Sequence, residues 1–306
     1  MSSLEEREQE VRRKVLTALS LRPMECLTGT VPAGVAPTML PTDPRVRRFR
    51  ASAFATRHVA EDRISKFWFR NYLWASLLRE LMVRSLADAP ALRVAHLPEL
   101  AMRTGLSLAS VHTAINKSVA TGDFAKIRAE HDNRHIILLP SPEIREYFSR
   151  DIKDNLKELA IYTGRKEFDP DLLEGIGGTS YARLMIRFVS FPKFKQTKEE
   201  AVLAKRMFFF LMWDLVLDSV ENISVPLAGI AKRMKISISA LRLVLHQARE
   251  GGWLEPCEGL RPSAMALHRY TMLFSAGEAR TNLLLDALEA VVAEPALATA
   301  LDPGPH

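Results

Sequence analysis

One face of the segment 104–140 carries side chains that donate and accept hydrogen bonds. The segment reads TGLSLASVHTAINKSVATGDFAKIRAEHDNRHIILLP, and its apolar residues recur every three or four positions, which predicts an amphipathic helix over 107–121. The N-cap residue and the polar residues of the opposite face are Ser107, Ser110, His112, Thr113, Asn116 and Lys117. Asparagine can bind adenine through two hydrogen bonds, and lysine can bind guanine or phosphate. This face therefore has the chemistry to read base edges in the major groove of double-stranded DNA.

Two arginines follow this helix on a predicted β-hairpin. The apolar residues of 124–139 indicate two short strands, with Arg128 and Arg134 near the turn between them. Arginines in such a place can reach the DNA backbone or the minor groove. His131 and His135 lie on the same hairpin, but no carboxylate stands between them in a metalloprotease pattern, so the sequence does not favour a metal site.

No other residue pattern indicates catalysis. The run GIGG at 175–178 lacks the strand–loop–helix context of a phosphate-binding loop. No serine or cysteine stands in a nucleophile-like setting with histidine and an acid. We therefore expect no enzyme activity, no cofactor and no metal.

The neighbouring elements are those that would position a DNA-reading helix. A long amphipathic helix is predicted from Arg63 to about Leu86, followed by a short helix with Pro98 in its first turn. Gly105 permits a tight turn before the capped helix, and another helix follows the hairpin after Ser141. Helix, short helix, turn, capped helix and hairpin is the order of a winged helix-turn-helix.

Residues 227–254 repeat residues 97–124 without a gap, at an offset of 130 residues. The apolar positions, the serine cap and the closing glycine all recur, so that Ser237 matches Ser107. One unit used twice explains this better than chance. The fold class expected is mainly α with small β-hairpin wings, arranged as tandem winged helix-turn-helix domains.

The second unit is a weaker candidate for contact with DNA. Leu243 replaces the polar Thr113, and the hairpin shrinks to EPCEGLRPS, where Glu255 and Glu258 repel phosphate and only Arg261 attracts it. Two interpretations stay open: contact mainly through phosphates, or a structural partner for the first unit. The candidate contact residues are Ser239, Arg242 and His246.

The first unit resembles the MarR-type winged-helix regulators of bacteria. The likeness covers roughly 63–160, and its specific part is 97–139, where Asp132 is followed two residues later by Arg134 and then by an apolar strand. The resemblance implies DNA contact by that arginine. It also implies a homodimer through terminal helices and a small-molecule ligand held between the long helices. Such regulators usually carry one unit per chain, whereas this chain carries two.

The basic balance of the chain favours a polyanionic partner. The formal net charge is +6, and a basic cluster, RVRRFR, follows a proline-rich stretch. We expect residues 21–60 to form an extended arm whose Arg47 and Arg48 contact DNA. A solvated linker is the equally supported alternative.

Composition and segment boundaries complete the expected organisation. The two cysteines are far apart, the first residues lack a signal sequence, and no segment is long and apolar enough to span a bilayer. We therefore expect a cytoplasmic, nucleoid-associated protein without membrane contact. The predicted parts are an N-terminal helix and arm (1–60), a first winged helix (61–162), a connector (163–196), a second winged helix with a last helix at about 277–294 (197–294), and a tail (295–306).

The leading functional hypothesis is a sequence-specific transcription regulator that reads DNA with the helix 107–121 and the wing 126–135. A plasmid-type replication initiator with tandem winged helices is the second hypothesis. A winged-helix adaptor that binds proteins is the third, although a scaffold of that kind has no use for a basic arm and an arginine wing. The sequence leaves open whether the N-terminal helix and the last helix pair between chains or pack on each other within one chain.

Overall fold

A computed structural model describes residues 3–57, 63–68, 72–85, 91–93, 96–129, 132–165, 184, 188, 206–256 and 259–302. The chain is mainly α-helical and has one small antiparallel β-sheet. The predicted class, mainly α with a small hairpin, is confirmed at that level. Most of the connector, including GIGG at 175–178, lies outside the described residues.

The first half builds a sheet between helices. It contains α3 (Arg63–Trp68), α4 (Tyr72–Ser85), β1 (Ala91–Arg93), α5 (Leu97–Thr104), α6 (Leu108–Ala120), β2 (Phe124–Ala129), β3 (Asp132–Pro140) and α7 (Pro142–Tyr162). β3 lies between β1 and β2 and is antiparallel to both, with Leu92 opposite Ile136 and Ile127 opposite Ile137. The sequence indicated two strands, because a three-residue strand such as β1 is too short to show alternation.

The second half repeats the pair of short helices at the same lengths, with a smaller hairpin. It contains α8 (Arg206–Val220), α9 (Leu227–Met234), α10 (Ile238–Glu250), α11 (Ala264–Ala293) and the 3-10 helix η2 (Pro295–Leu301). Leu254 and Pro262 form an isolated β-bridge where the first half has a full hairpin. The expected last helix at 277–294 is corrected to a helix of 30 residues that begins after Ser263, whose hydroxyl caps it by accepting from the Ala266 amide at 3.2 Å.

The N-terminal segment has the helix expected at its start and two further helices in the part where an extended arm was expected. α1 (Leu4–Ser20) begins with a capping box formed by Ser3 and Glu6, and the 3-10 helix η1 (Pro23–Thr28) follows. The basic cluster lies in α2 (Pro44–Arg57), so the prediction of an extended arm over all of 21–60 was wrong. Tertiary packing explains the difference, since Val46 is fully buried and Arg50 is nearly so.

Two apolar cores share one helix. The first is built by α1, α3 to α7 and the C-terminal half of α11, with Leu284 and Leu288 fully buried in it. The second is built by η1, α2, α8 to α10 and the N-terminal half of α11, where Tyr270 is fully buried. The terminal helices thus pack within one chain, since α1 buries Val11 and Val15 in the core that the end of α11 completes. No helix among the described residues combines the length and the apolar character needed to cross a membrane.

Candidate nucleic-acid interface

The face of α6 that the sequence singled out is exposed as expected. Ser107 caps the helix by accepting a hydrogen bond from the Ser110 amide at 3.1 Å. Val111, Ala114, Ile115 and Ser118 turn into the core. The structure places five of the predicted contact residues in solvent and leaves Ser110 half-buried; the five are Ser107, His112, Thr113, Asn116 and Lys117. The sequence of α6 contains no Asp or Glu, so nothing on this helix repels phosphate.

A tight turn fixes α6 against α5. Gly105 has a φ of 71°, in the left-handed region that favours glycine. Beside it, the buried Thr104 hydroxyl donates to the Leu100 carbonyl at 2.7 Å, and the Leu106 amide donates to that hydroxyl at 3.4 Å. Leu100 and Leu106 pack in the same core. The exposed face of α6 is therefore held in one orientation by buried neighbours.

The hairpin that follows carries the two predicted arginines on its strands. Arg128 lies in β2 opposite Ile136, and a register shift separates Arg128 from Ala129. Arg134 lies in β3, and Lys126 of β2 is exposed. The turn residue His131 lies outside the described residues, whereas His135 pairs with Arg93 of β1. Within the described residues no group of three potential ligands is placed to hold a metal ion.

A buried acid that the sequence analysis missed anchors the base of this hairpin. Asp123 is fully buried and accepts hydrogen bonds from the Arg63 guanidinium and, at 2.9 Å, from the Trp68 indole. Its backbone carbonyl accepts from the Ser141 amide at 2.8 Å, which ties the hairpin to the start of α7. The hydrogen bond to Asp123 raises the pKa of Arg63, so this guanidinium stays charged. In sequence, an aspartate after a helix-ending glycine looks like any solvated turn residue.

The basic cluster of α2 is used largely inside the chain. Arg47 forms an ion pair with Glu221, which directs at least part of its charge away from a ligand. Arg45 pairs with Asp43 and, at 3.2 Å, with Glu278. Arg47 and Arg48 are the two predicted DNA contacts on α2, and both are exposed. Of the two, Arg48 has no ion pair among the described residues.

A network of four charges joins α2 to the second pair of short helices. Arg50 and Arg233 bracket the Asp214 carboxylate at 2.5 and 3.1 Å, and Arg233 also bonds Asp218 at 2.6 Å. Burial raises the pKa of Asp214 to about 6, although both guanidinium groups oppose that rise. Sequence patterns do not reveal this network, because Arg50 is 164 residues from Asp214 in the chain.

The second helix pair presents a different face. Ser239, Arg242 and His246 are exposed on α10 as expected, and the His246 imidazole lies 3.3 Å from the Glu250 carboxylate. Leu243 is 58% exposed on the same face. Lys235, at the turn before α10, adopts a φ of 51°, the conformation that Gly105 has in the first pair. The predicted contact residues of each pair are thus brought together on one helix face.

Comparisons with models of protein families, with curated proteins and with solved structures find no match to this chain. Function is therefore inferred from the residues and geometry of the chain itself.

Proposed function

We propose that this protein is a sequence-specific, double-stranded-DNA-binding transcription regulator built from two winged helix-turn-helix units in one chain. The exposed polar face of α6, fixed after a tight turn and free of acidic residues, is the observation that carries the proposal. In this proposal α6 lies in the major groove, and the β2–β3 hairpin is the wing.

The dimensions of α6 suit this role. Its 13 residues span about 20 Å at 1.5 Å per residue, and the major groove is about 12 Å wide and admits one α-helix. Thr113 and Asn116 are exposed near the middle of the helix, where short polar side chains can approach base edges. Lys117 can bind guanine or a phosphate.

The hairpin adds positive charge beside that helix. Lys126, Arg128 and Arg134 supply three cations on the two strands, and cations at this place can bind the DNA backbone or the minor groove. The buried Asp123 holds the base of the hairpin against Arg63 and Trp68. These contacts anchor the base of the wing next to the end of α6.

The likeness to MarR-type regulators stays a prediction, as do the properties that it implies. A homodimer through the terminal helices would have to use their outer faces, because their apolar faces already pack together within the chain. Sensing of a small ligand between the long helices, absence of enzyme activity and a place at the nucleoid in the cytoplasm are further predictions. Arg48 is a better candidate than Arg47 for phosphate contact from α2.

A footprint of the purified full chain on genomic DNA tests the proposal. We expect protection of one short promoter element that survives an excess of random competitor DNA. Lys117→Ala should weaken that footprint, whereas the matched variant Lys157→Ala, which removes an exposed lysine on α7, should weaken it less. A directly repeated protected array would instead identify a replication initiator, and the absence of any footprint would leave the adaptor hypothesis.

A further inference from the structure

The two helix pairs, α5–α6 and α9–α10, can be compared residue by residue, because their helices have the same lengths and the same caps. α5 and α9 each have eight residues, α6 and α10 each have 13, and all their bounds differ by the same offset. The caps Ser107 and Ser237 each accept from an amide three residues later at 3.1 Å. Four positions are buried in both helices, occupied by Val111, Ala114, Ile115 and Ser118 in α6 and by Leu241, Val244, Leu245 and Ala248 in α10. The exposed positions therefore correspond as well.

Those exposed positions hold different chemistry in the two helices. His112 and Thr113 correspond to Arg242 and Leu243, and Asn116 corresponds to His246. The core does not need Leu243, because four other residues of α10 already fill the buried stripe. A leucine that is 58% exposed thus stands where α6 offers a hydrogen-bonding threonine.

The surroundings of Leu243 fit nucleic acid better than a protein partner. Its neighbours on the same helix face, one turn away, are Ser239, the half-buried Ala240, His246 and Gln247, so no other large apolar side chain stands beside it there. Exposed cations occur on α9 and the turn before α10, at Lys232 and Lys235, and next to Leu243 in sequence, at Arg242. In the major groove the apolar group that a base presents is the C5 methyl of thymine.

The cationic side chains are distributed differently over the elements of the two units. In the first unit three cations lie on the hairpin, whose closing pair Phe124–Pro140 encloses 15 residues. In the second unit the pair Leu254–Pro262 encloses only seven residues, of which Arg261 is the one cation, and the other exposed cations named above lie on α9, on the turn and on α10. The second unit would therefore hold phosphates beside its helix, where the first unit holds them with its wing.

We propose that α10 is a second major-groove reader in which Leu243 contacts a thymine methyl group and Lys232, Lys235 and Arg242 hold the flanking phosphates. The DNA element is then bipartite with unequal halves, one read by polar groups of α6 and one by the leucine of α10. This inference rests on the proposed function, because it needs DNA to be the ligand.

Replacing single thymines by uracil tests the contact, since uracil lacks only the C5 methyl group. On the footprinted duplex, one thymine-to-uracil replacement outside the part that α6 protects should weaken wild-type binding about fourfold. This is the effect expected for the loss of one buried methyl-sized group. Leu243→Ala should bind the thymine duplex about as weakly as the wild type binds the uracil duplex, and it should no longer distinguish the two. Because Leu243 is exposed, this variant keeps its core, which circular dichroism checks.

Two further variants separate the contact from general effects. Leu40→Ala removes a leucine of similar exposure, 56%, from the N-terminal segment and should leave both affinities unchanged. Arg242→Ala should weaken both duplexes by the same factor, because a phosphate contact does not depend on the methyl group.

Three outcomes overturn the inference. If wild-type binding is insensitive to every uracil replacement, the inference is overturned and the proposed function stays intact. If Leu243→Ala keeps full affinity and full sensitivity to uracil, the inference is also overturned. Protein docking is then the role left for this leucine. A wild-type chain that binds no duplex overturns both this inference and the proposed function.

Discussion

Asn116 is the side chain on α6 best suited to read a base, since it is exposed and its amide can both donate and accept. Asn116→Ala should weaken the specific element by about 1–3 kcal/mol and leave binding to random DNA nearly unchanged. Parallel titrations on the footprinted and a scrambled duplex measure this. Equal losses on both duplexes would mean that this face does not discriminate between bases.

Asp214 should make the stability of the fold depend on pH. Burial raises the pKa of this carboxyl to about 6, so the folded chain holds the proton more tightly than the unfolded chain, where the value is near 3.8. The stability that protonated Asp214 contributes is fully present below pH 4 and is lost as the pH rises to about 6. The neighbouring charges are those of Arg50, Arg233 and Asp218.

Urea unfolding of the wild type and of Asp214→Asn between pH 4 and pH 7 checks this dependence. The free energy of unfolding of the wild type, minus that of the variant, should fall by up to about 3 kcal/mol over that range. A difference that is constant or that grows with pH would show that the two guanidinium groups outweigh burial.

Residues on one helix face could be predicted, and residues paired across the chain could not. Periodicity alone placed Val111 and Ile115 inside and Asn116 outside, because neighbours on a helix are close in sequence. Asp123 and Arg63 are 60 residues apart, and a pattern of three or four residues does not contain such a pair. Arg47 was assigned to DNA for the same reason, since its partner Glu221 is remote in sequence.

At the scale of elements, the two hairpins should differ in their contribution to binding. Arg134 lies on a nine-residue strand of a full hairpin, whereas Arg261 lies on a short loop where its carbonyl accepts from the Glu255 amide. Arg134→Ala should cost about 1–2 kcal/mol of DNA binding, as expected for a charge-assisted contact. Arg261→Ala should cost less than half of that, because Glu255 lowers the local positive potential. Titrations at equal salt compare the two, and a larger loss for Arg261→Ala would reverse their ranking.

Element boundaries were predicted well where local signals govern them. Ser107 and Ser237 were identified as caps, and both accept the expected amide hydrogen bond. The last helix was expected to begin at about residue 277, where Ser275 and Gly277 are of types common at helix ends. In the structure both lie inside the helix, where the Ser275 hydroxyl accepts from the Met39 amide at 3.0 Å. A polar residue that serves a tertiary contact cannot be distinguished from a cap by sequence alone.

At the scale of the whole molecule, DNA affinity should depend on salt according to the number of phosphates held. Each contact contributes about −0.9 to the slope of log K against log salt, so contacts from Lys117, Lys126, Arg128 and Arg134 alone give about −3.6. Contacts from the second unit would make the slope steeper. A slope near zero would remove DNA as the ligand.

The shared helix should couple the two halves. Leu288 is fully buried in the first core, and Leu288→Ala should lower the free energy of unfolding by about 2–5 kcal/mol. Hydrogen exchange should show the loss of protection in α1 and α4 as well as in α11. Leu283→Ala, which truncates a partly buried leucine of the same helix, should have a clearly smaller effect.

The pairing of α1 with the end of α11 also sets an order of events on the ribosome. Val15 is synthesised roughly 270 residues before Leu288, which at about 5–20 residues per second is a delay of some tens of seconds. During that interval the apolar stripe of α1 has no partner from α11, although α6 and its hairpin have already emerged. A chain that ends before α11 therefore contains all of α6 and has an open first core. The first core is thus closed only after α11 has been made.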